Sequence, residues 1–137
     1  MTLLVDTSVW SLAFRRDAPP NLPEVAALAR ALSGHDDVVT TGLILLELLR
    51  GFVPLRVEDA LAEQFAVLTF LEPTRQDYVA AARLSNLCRQ AGVQLATVDA
   101  ILAQLAIAHD ATLLTTDRDF VLAAAHIPLR VWTPPAA

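Results

Sequence analysis

Short apolar runs recur along the chain and are separated by longer segments with helical spacing of apolar residues. The runs show little alternation of polar and apolar positions, which is typical of strands buried on both faces of a parallel sheet. Four such strands are predicted at Leu3–Val5 and at residues 38–40, 67–71 and 112–115. A fifth run at residues 129–132 is a candidate edge strand.

Each predicted strand except the candidate edge strand is followed by helical sequence. Asp6-Thr7-Ser8 suit a helix start, Thr74 to Asp77 resembles a capping box, and Gly92 suits the residue after a helix. The predicted helices run over about 7–14, 22–32, 43–49, 57–65, 75–91, 97–109 and 117–125. This order predicts an α/β fold with a parallel sheet of four or five strands and helices on both faces.

Length and composition predict one domain spanning residues 1–137 with a substantial apolar core. Apolar residues make up 55% of the chain, and a domain of this size buries roughly two-thirds of its unfolded surface. The single cysteine, Cys88, is predicted to be a packing residue, which suits a reducing, cytoplasmic setting. The start of the chain lacks the features of a signal peptide, and no apolar run reaches the ~20 residues of a membrane span.

The charge balance bears on the class of ligand. The formal net charge is −5, whereas nucleic-acid-binding domains are usually basic. A divalent cation reverses the local field, however, so this charge does not exclude an enzyme that reaches phosphate through a metal ion. No glycine-rich phosphate loop occurs, so no nucleotide cofactor is expected.

Four acidic residues lie in apolar surroundings: Asp6, Glu47, Asp99 and Asp117. Asp6 and Asp117 follow predicted strands, at the sheet edge where ligands bind in α/β folds. Buried carboxylates that lie together repel one another unless a cation offsets their charge. Oxygen ligands without His or Cys favour Mg²⁺ or Mn²⁺, and such a site suits hydrolysis of a phosphodiester.

Each acid also has a purely structural interpretation, as a helix cap, a first-turn acid or half of an ion pair. These alternatives are Asp6 and Asp117 as N-caps, Asp119 in a capping box with Thr116, Glu47 paired with Arg50, and Asp99 behind a Thr97 cap. The metal-site hypothesis accounts for all of the acids at once, whereas the structural interpretation needs each of these roles to hold separately.

Four segments resemble the PIN-domain nucleases, and among them the VapC-type toxins of bacterial toxin–antitoxin pairs. The segments are LVDTSVW at 4–10, ELLRG at 47–51, TVDAILA at 97–103 and LTTDRDF at 114–120. Each segment alone is weakly specific, but the four occur in the family's order and span nearly the whole chain.

The resemblance implies a Rossmann-like sheet, Mg²⁺- or Mn²⁺-dependent endoribonuclease activity, a homodimer and a small antitoxin as partner. It places Asp6, Glu47, Asp99 and Asp117 on the family's acidic quartet. Asp6, Asp99 and Asp117 are then the expected metal ligands, and Glu47 the residue that contacts a metal through water or positions the attacking water. The supporting positions are Thr7, Ser8, Thr116 and Asp119.

Two other functions remain as alternatives. An acidic pocket on a parallel sheet also serves phosphoryl transfer to aspartate, but the families that do this use a lysine and this chain has none. A non-catalytic binding module, whose acidic cleft is filled by an arginine of a partner protein, would have the same fold. Cleavage of RNA that depends on a divalent metal distinguishes the nuclease from this module.

Overall fold

The computed structural model describes residues 1–15, 21–50 and 54–136 and shows an α/β fold. The strands are β1 (Thr2–Val5), β2 (Asp37–Thr40), β3 (Thr69–Phe70) and β4 (Thr112–Leu114). The helices are α1 (Thr7–Ala13), α2 (Pro23–Ser33), α3 (Gly42–Leu49), α4 (Leu55–Ala66), α5 (Arg75–Gln90), α6 (Thr97–Ala108) and α7 (Arg118–Ala123). Gly51, the last residue of the segment ELLRG, lies outside the described residues.

All strand pairs are parallel, and the order in the sheet is β3-β2-β1-β4. The chain therefore moves outward from β1 to β3 and then returns to add β4 on the other side of β1. With right-handed crossovers, this reversal puts the helices before and after it on opposite faces of the sheet. It also makes the gap between β1 and β4 the topological switch point, where ligands bind in open α/β sheets.

The core lies on both sides of the central strand β1. Leu4 and Val5 are fully buried, and so are Leu113 and Leu114 on β4. Their lack of alternation is what a sheet covered on both faces requires. Trp10 on α1 is also buried. The centroid of its ring lies 4.8 Å from that of Phe65, so α4 packs against the core through this pair.

Several local predictions from sequence are confirmed. The hydroxyl of Thr74 accepts a hydrogen bond from the backbone N–H of Asp77, whose carboxylate accepts from the backbone N–H of Thr74. Gly92 has a φ of +84° directly after α5, and Val93 N donates to the Cys88 carbonyl at 2.8 Å, as in a Schellman motif. Cys88 is fully buried, as expected of a packing residue, and burial raises the pKa of its thiol.

The predicted strands are too long at three places, of which the end of β4, at Leu114 instead of Thr115, differs least. The third strand shrinks to Thr69–Phe70, because α4 extends to Ala66 and Val67 is its C-cap. The predicted edge strand at 129–132 contributes a single parallel bridge, from Val131 to Leu113. None of the helices in the described ranges is long and apolar enough to cross a membrane.

Candidate active site

Asp6 lies directly after β1, at the switch point of the sheet. Its backbone N–H donates to the Leu114 carbonyl at 2.9 Å, so the pairing of β1 with β4 continues to this residue. Only 6% of Asp6 is exposed. Since β4 lies next to β1, the segment after β4 and the segment after β1 meet at this edge.

Two hydroxyl groups hold the Asp6 carboxylate. Ser8 Oγ donates to Asp6 Oδ2 at 2.7 Å, and Thr115 Oγ1 donates to the same oxygen at 2.8 Å. Each hydroxyl oxygen also accepts a backbone N–H, that of Thr116 for Ser8 at 3.1 Å and that of Asp117 for Thr115 at 3.0 Å. Because an ionised carboxylate oxygen only accepts hydrogen bonds, both hydroxyl hydrogens point at Asp6. Asp6 sits at the N-cap position of α1, but its carboxylate is engaged by these hydroxyls instead of capping that helix.

Thr115 is a site residue that the sequence reasoning missed. It is the last residue of the predicted fourth strand, whereas β4 ends at Leu114 and Thr115 begins the loop beyond it. The signal that would have identified it is positional. A hydroxyl at the end of a strand that neighbours β1 is placed to reach Asp6, but the strand order must be known first.

Glu47 is brought to the same edge by α3. Thr7 Oγ1 donates to Glu47 Oε1 at 2.9 Å across 40 positions of sequence. Glu47 is partly buried, although the helix around it is rich in leucine. Thr7 and Ser8, both predicted as supporting residues, therefore contact different carboxylates, Glu47 and Asp6.

Asp117 is the N-cap of α7. Its Oδ1 accepts the backbone N–H of Asp119 at 2.9 Å, which is the structural role considered for it from sequence. The predicted capping box between Thr116 and Asp119 is wrong, because the helix begins one residue later than that box requires. Thr116 is exposed and contacts the site through its backbone N–H.

Asp99 lies in the first turn of α6, and its pKa shows that the acids are gathered. Burial raises the pKa of Asp99 from 3.8 to about 6, with further contributions from four neighbouring carboxylates. These neighbours, in order of decreasing effect, are Asp6, Asp117, Glu47 and Asp119. Thr97 is not the cap of α6, since the N-cap is Ala96. The fold thus brings all four predicted acids, and Asp119, within electrostatic range of one another.

The donor chemistry fits a hard divalent cation, although the side chains are not yet arranged as ligands. The residues gathered here offer only oxygen donors and a concentrated negative charge. Across residues 1–15, 21–50 and 54–136, no three acidic, histidine or cysteine side chains stand close enough to hold one ion together. Asp6, Glu47 and Asp117 instead turn to hydroxyl or backbone donors. Shared coordination therefore requires side-chain rotation.

Comparison with solved structures shows the same fold in several proteins. VapBC2 from Rickettsia felis, bound to a DNA fragment from their promoter, matches with a TM-score of 0.76 at 17% identity, over 96% of this chain and 98% of the other. VapBC-1 from nontypeable Haemophilus influenzae matches with a TM-score of 0.73 at 17% identity, over 96% and 97%. VapC20 from Mycobacterium tuberculosis, a sarcin–ricin loop cleaving toxin, matches with a TM-score of 0.67 at 21% identity, over 93% and 98%.

The sequence itself matches a family model over most of its length. No curated protein matches it. The model of the PIN domain matches residues 3–125, a range that includes most of β1, all of β4 and all of the acidic residues gathered at the switch point. This chain belongs to the PIN-domain family.

Proposed function

We propose that this protein is a Mg²⁺- or Mn²⁺-dependent endoribonuclease that acts as the toxin of a toxin–antitoxin pair. The observation that supports this function best is the gathering of five carboxylates at the switch point of the sheet, Asp6, Glu47, Asp99, Asp117 and Asp119, which together with burial raises the pKa of Asp99. A fold concentrates that much negative charge at a ligand-binding edge at a cost in stability, and a divalent cation offsets that cost. The matching family model and the fold shared with VapC20 support the same assignment.

Asp6, Asp99 and Asp117 are the proposed metal ligands. When bound, the cation supplies positive charge to the attacked phosphate and makes a coordinated water more acidic. Ser8 and Thr115 fix the orientation of Asp6 by bonding to one of its two oxygens. This leaves the carboxylate ordered but able to offer its other oxygen.

Glu47 is the proposed residue that positions the attacking water. Thr7 holds one of its oxygens at 2.9 Å and so limits the rotation of the side chain. Asp119, whose charge also raises the pKa of Asp99, adds to the negative field that attracts the cation. The backbone N–H of Thr116 donates to Ser8 Oγ, and Thr116 therefore supports Asp6 indirectly, through Ser8.

Incubation of the purified protein with structured RNA tests the nuclease. We expect cleavage with Mg²⁺ or Mn²⁺, none with a chelator, and a loss of about 10²-fold or more in Asp6→Asn, Asp99→Asn and Glu47→Gln. Asp59→Asn, which removes an exposed acid on α4, is the matched control and is expected to cleave normally. Absence of cleavage by the wild type across varied RNAs would favour the non-catalytic module, whose acidic cleft binds a partner's arginine.

Growth tests the toxin assignment. The proposal includes a homodimer, action in the cytoplasm and a small antitoxin as cognate partner; the solved structures that share this fold include VapBC proteins. Expression without the antitoxin is expected to stop bacterial growth, and Asp99→Ala is expected to relieve the arrest. Normal growth with abundant wild-type protein would contradict the toxin assignment, even if RNA is cleaved in vitro.

A further inference from the structure

A groove between α5 and α6 lies outside the acidic site. Its volume is about 320 Å³, near the lower limit for small-molecule pockets. Short side chains on both helices, Ala81, Ala82 and Ala100, leave this space open. Its polar lining comes from Tyr78, Ser85, Asn86, Arg89 and Thr97.

The groove has an aromatic side chain and a cation on one stripe of α5. Tyr78, Ala82, Ser85 and Arg89 follow each other at spacings of four, three and four residues, which places them on one helical face. Tyr78 is 54% exposed and Arg89 is exposed. An exposed tyrosine offers a flat surface for stacking, and serine and asparagine offer hydrogen bonds in both directions.

The charge of α5 is opposite to that of the protein as a whole. The helix carries three arginines, Arg75, Arg83 and Arg89, and one acid, Asp77. Asp77 is buried, and its carboxylate is engaged by the Thr74 backbone and the Gln104 side chain. The solvent-facing charges of α5 are therefore all positive in a chain of net charge −5.

The first turn of α6 separates the groove from the acidic site. Thr97 lines the groove, and Asp99 lies two residues further on, about 200° around the helix, so their side chains lie on opposite sides of α6. Only a ligand long enough to wrap around the start of α6 reaches both places. A strand of several nucleotides has that length, and its phosphates and flat bases match the cation and the aromatic surface of the groove.

We infer that the α5–α6 groove binds a single-stranded segment of the RNA substrate next to the cleaved bond, with Tyr78 stacking a base and Arg89 contacting a phosphate. This inference rests on the proposed nuclease function and adds a binding site for the nucleotides that flank the cleaved bond. Ser85 and Asn86 lie between these two anchors, where they can bond to a base edge or a ribose hydroxyl.

Binding of a short single-stranded RNA by Asp6→Asn protein in chelator, followed by fluorescence anisotropy, tests the groove without the need for cleavage. Arg89→Gln is expected to weaken binding several-fold and to reduce the slope of log affinity against log salt by about 0.7. Tyr78→Leu is expected to weaken binding roughly tenfold, whereas Tyr78→Phe keeps the stacking surface and most of the affinity.

Arg83→Gln is the matched control, because Arg83 is exposed on the same helix but does not line the groove. We expect it to change affinity less than twofold or so, as a distant charge in moderate salt does. Equal effects of Arg89→Gln and Arg83→Gln, together with no effect of Tyr78→Leu, would overturn the groove as an RNA site.

Failure of the groove and failure of the nuclease give different results. If the wild type cleaves RNA and the groove variants leave KM unchanged on long substrates, the groove is refuted and the nuclease stands. If no RNA is cleaved but binding depends on Tyr78 and Arg89, the nuclease is refuted and the groove stands. If Tyr78→Leu shifts the monomer–dimer equilibrium in sedimentation and leaves RNA binding unchanged, the face belongs to a second copy of the chain and the inference is wrong.

Discussion

Replacing Asp99 by asparagine should stabilise the metal-free protein above neutral pH. The pKa of this carboxyl is raised from 3.8 to about 6, so ionising it costs the folded protein more free energy than it costs the unfolded chain. One pKa unit corresponds to about 1.36 kcal/mol, which sets an upper limit near 3 kcal/mol. Because Asp99 keeps partial contact with solvent, the expected gain is about 1–2 kcal/mol, or roughly 4–8 °C in melting temperature.

The size of this gain in stability depends on pH. Below the ordinary pKa of 3.8, folded and unfolded chains are both protonated at Asp99, and the variant should match the wild type. As pH rises from there to about 6, the unfolded chain ionises first and the wild type loses stability, whereas Asp99→Asn does not. Burial is the largest cause of the raised pKa, and repulsion from Asp6, Asp117, Glu47 and Asp119 adds to it where those acids are ionised.

Thermal melts of both proteins in chelator across this pH range measure the effect, with Asp59→Asn as the control for a change of one charge. Millimolar Mg²⁺ or Mn²⁺ should then raise the melting temperature of the wild type more than that of Asp99→Asn, since the ion binds the folded acids. Parallel pH profiles for wild type and Asp99→Asn, or an equal gain in Asp59→Asn, would refute the electrostatic reasoning.

Two further predictions concern side chains that support the fold and the site. Thr115→Val removes the hydroxyl donor to Asp6 and should lower the free energy of unfolding by about 1–3 kcal/mol in chemical denaturation. The control is Thr40→Val, because the buried Oγ1 of Thr40 has no hydrogen-bond partner within the described residues. This change should be neutral or stabilising. Equal losses in both would show that hydroxyl bonding does not decide the outcome. Asp77→Ala removes the acceptor for the Thr74 backbone and Gln104 and should cost about 1–2 kcal/mol. The Thr74 backbone N–H lowers the pKa of Asp77 below 3.8. The stability that this carboxylate contributes should therefore be present above pH 3.8 and be lost as the carboxyl is protonated at lower pH. Urea melts of wild type and Asp77→Ala above and below pH 3.8 would check this.

The alternation of strands and helices could be predicted because its signals are local. The run Leu3-Leu4-Val5 lacks polar positions since β1 is covered on both faces, and the capping box at Thr74 depends on residues three apart. The approach of Asp6 and Asp117 to one sheet edge also follows from parallel strands, whose carboxyl ends lie on the same side. These features require no knowledge of which strands are neighbours.

Other features depend on distant parts of the chain and could not be read locally. The role of Thr115 arises because β4 returns to pair with β1, a choice that no residue near Thr115 specifies. The apolar run at 67–71 predicts a strand that is longer than β3. The length of β3 depends on its pairing with β2, which involves only Thr69 and Phe70. Glu47 faces Thr7 through packing of α3 against α1, which helical spacing by itself does not reveal.

The hydrogen bond from Thr115 to Asp6 spans 109 positions of sequence and has a consequence for biosynthesis. Translation delivers Asp6 before its hydroxyl partner Thr115 and before Asp117, which both follow α6 along the chain. A nascent chain that stops before β4 therefore lacks Asp117 and Asp119 of the acidic cluster and one strand beside β1. If the protein damages RNA as proposed, its own messenger and ribosome are protected until β4 and the segment that follows it have been synthesised.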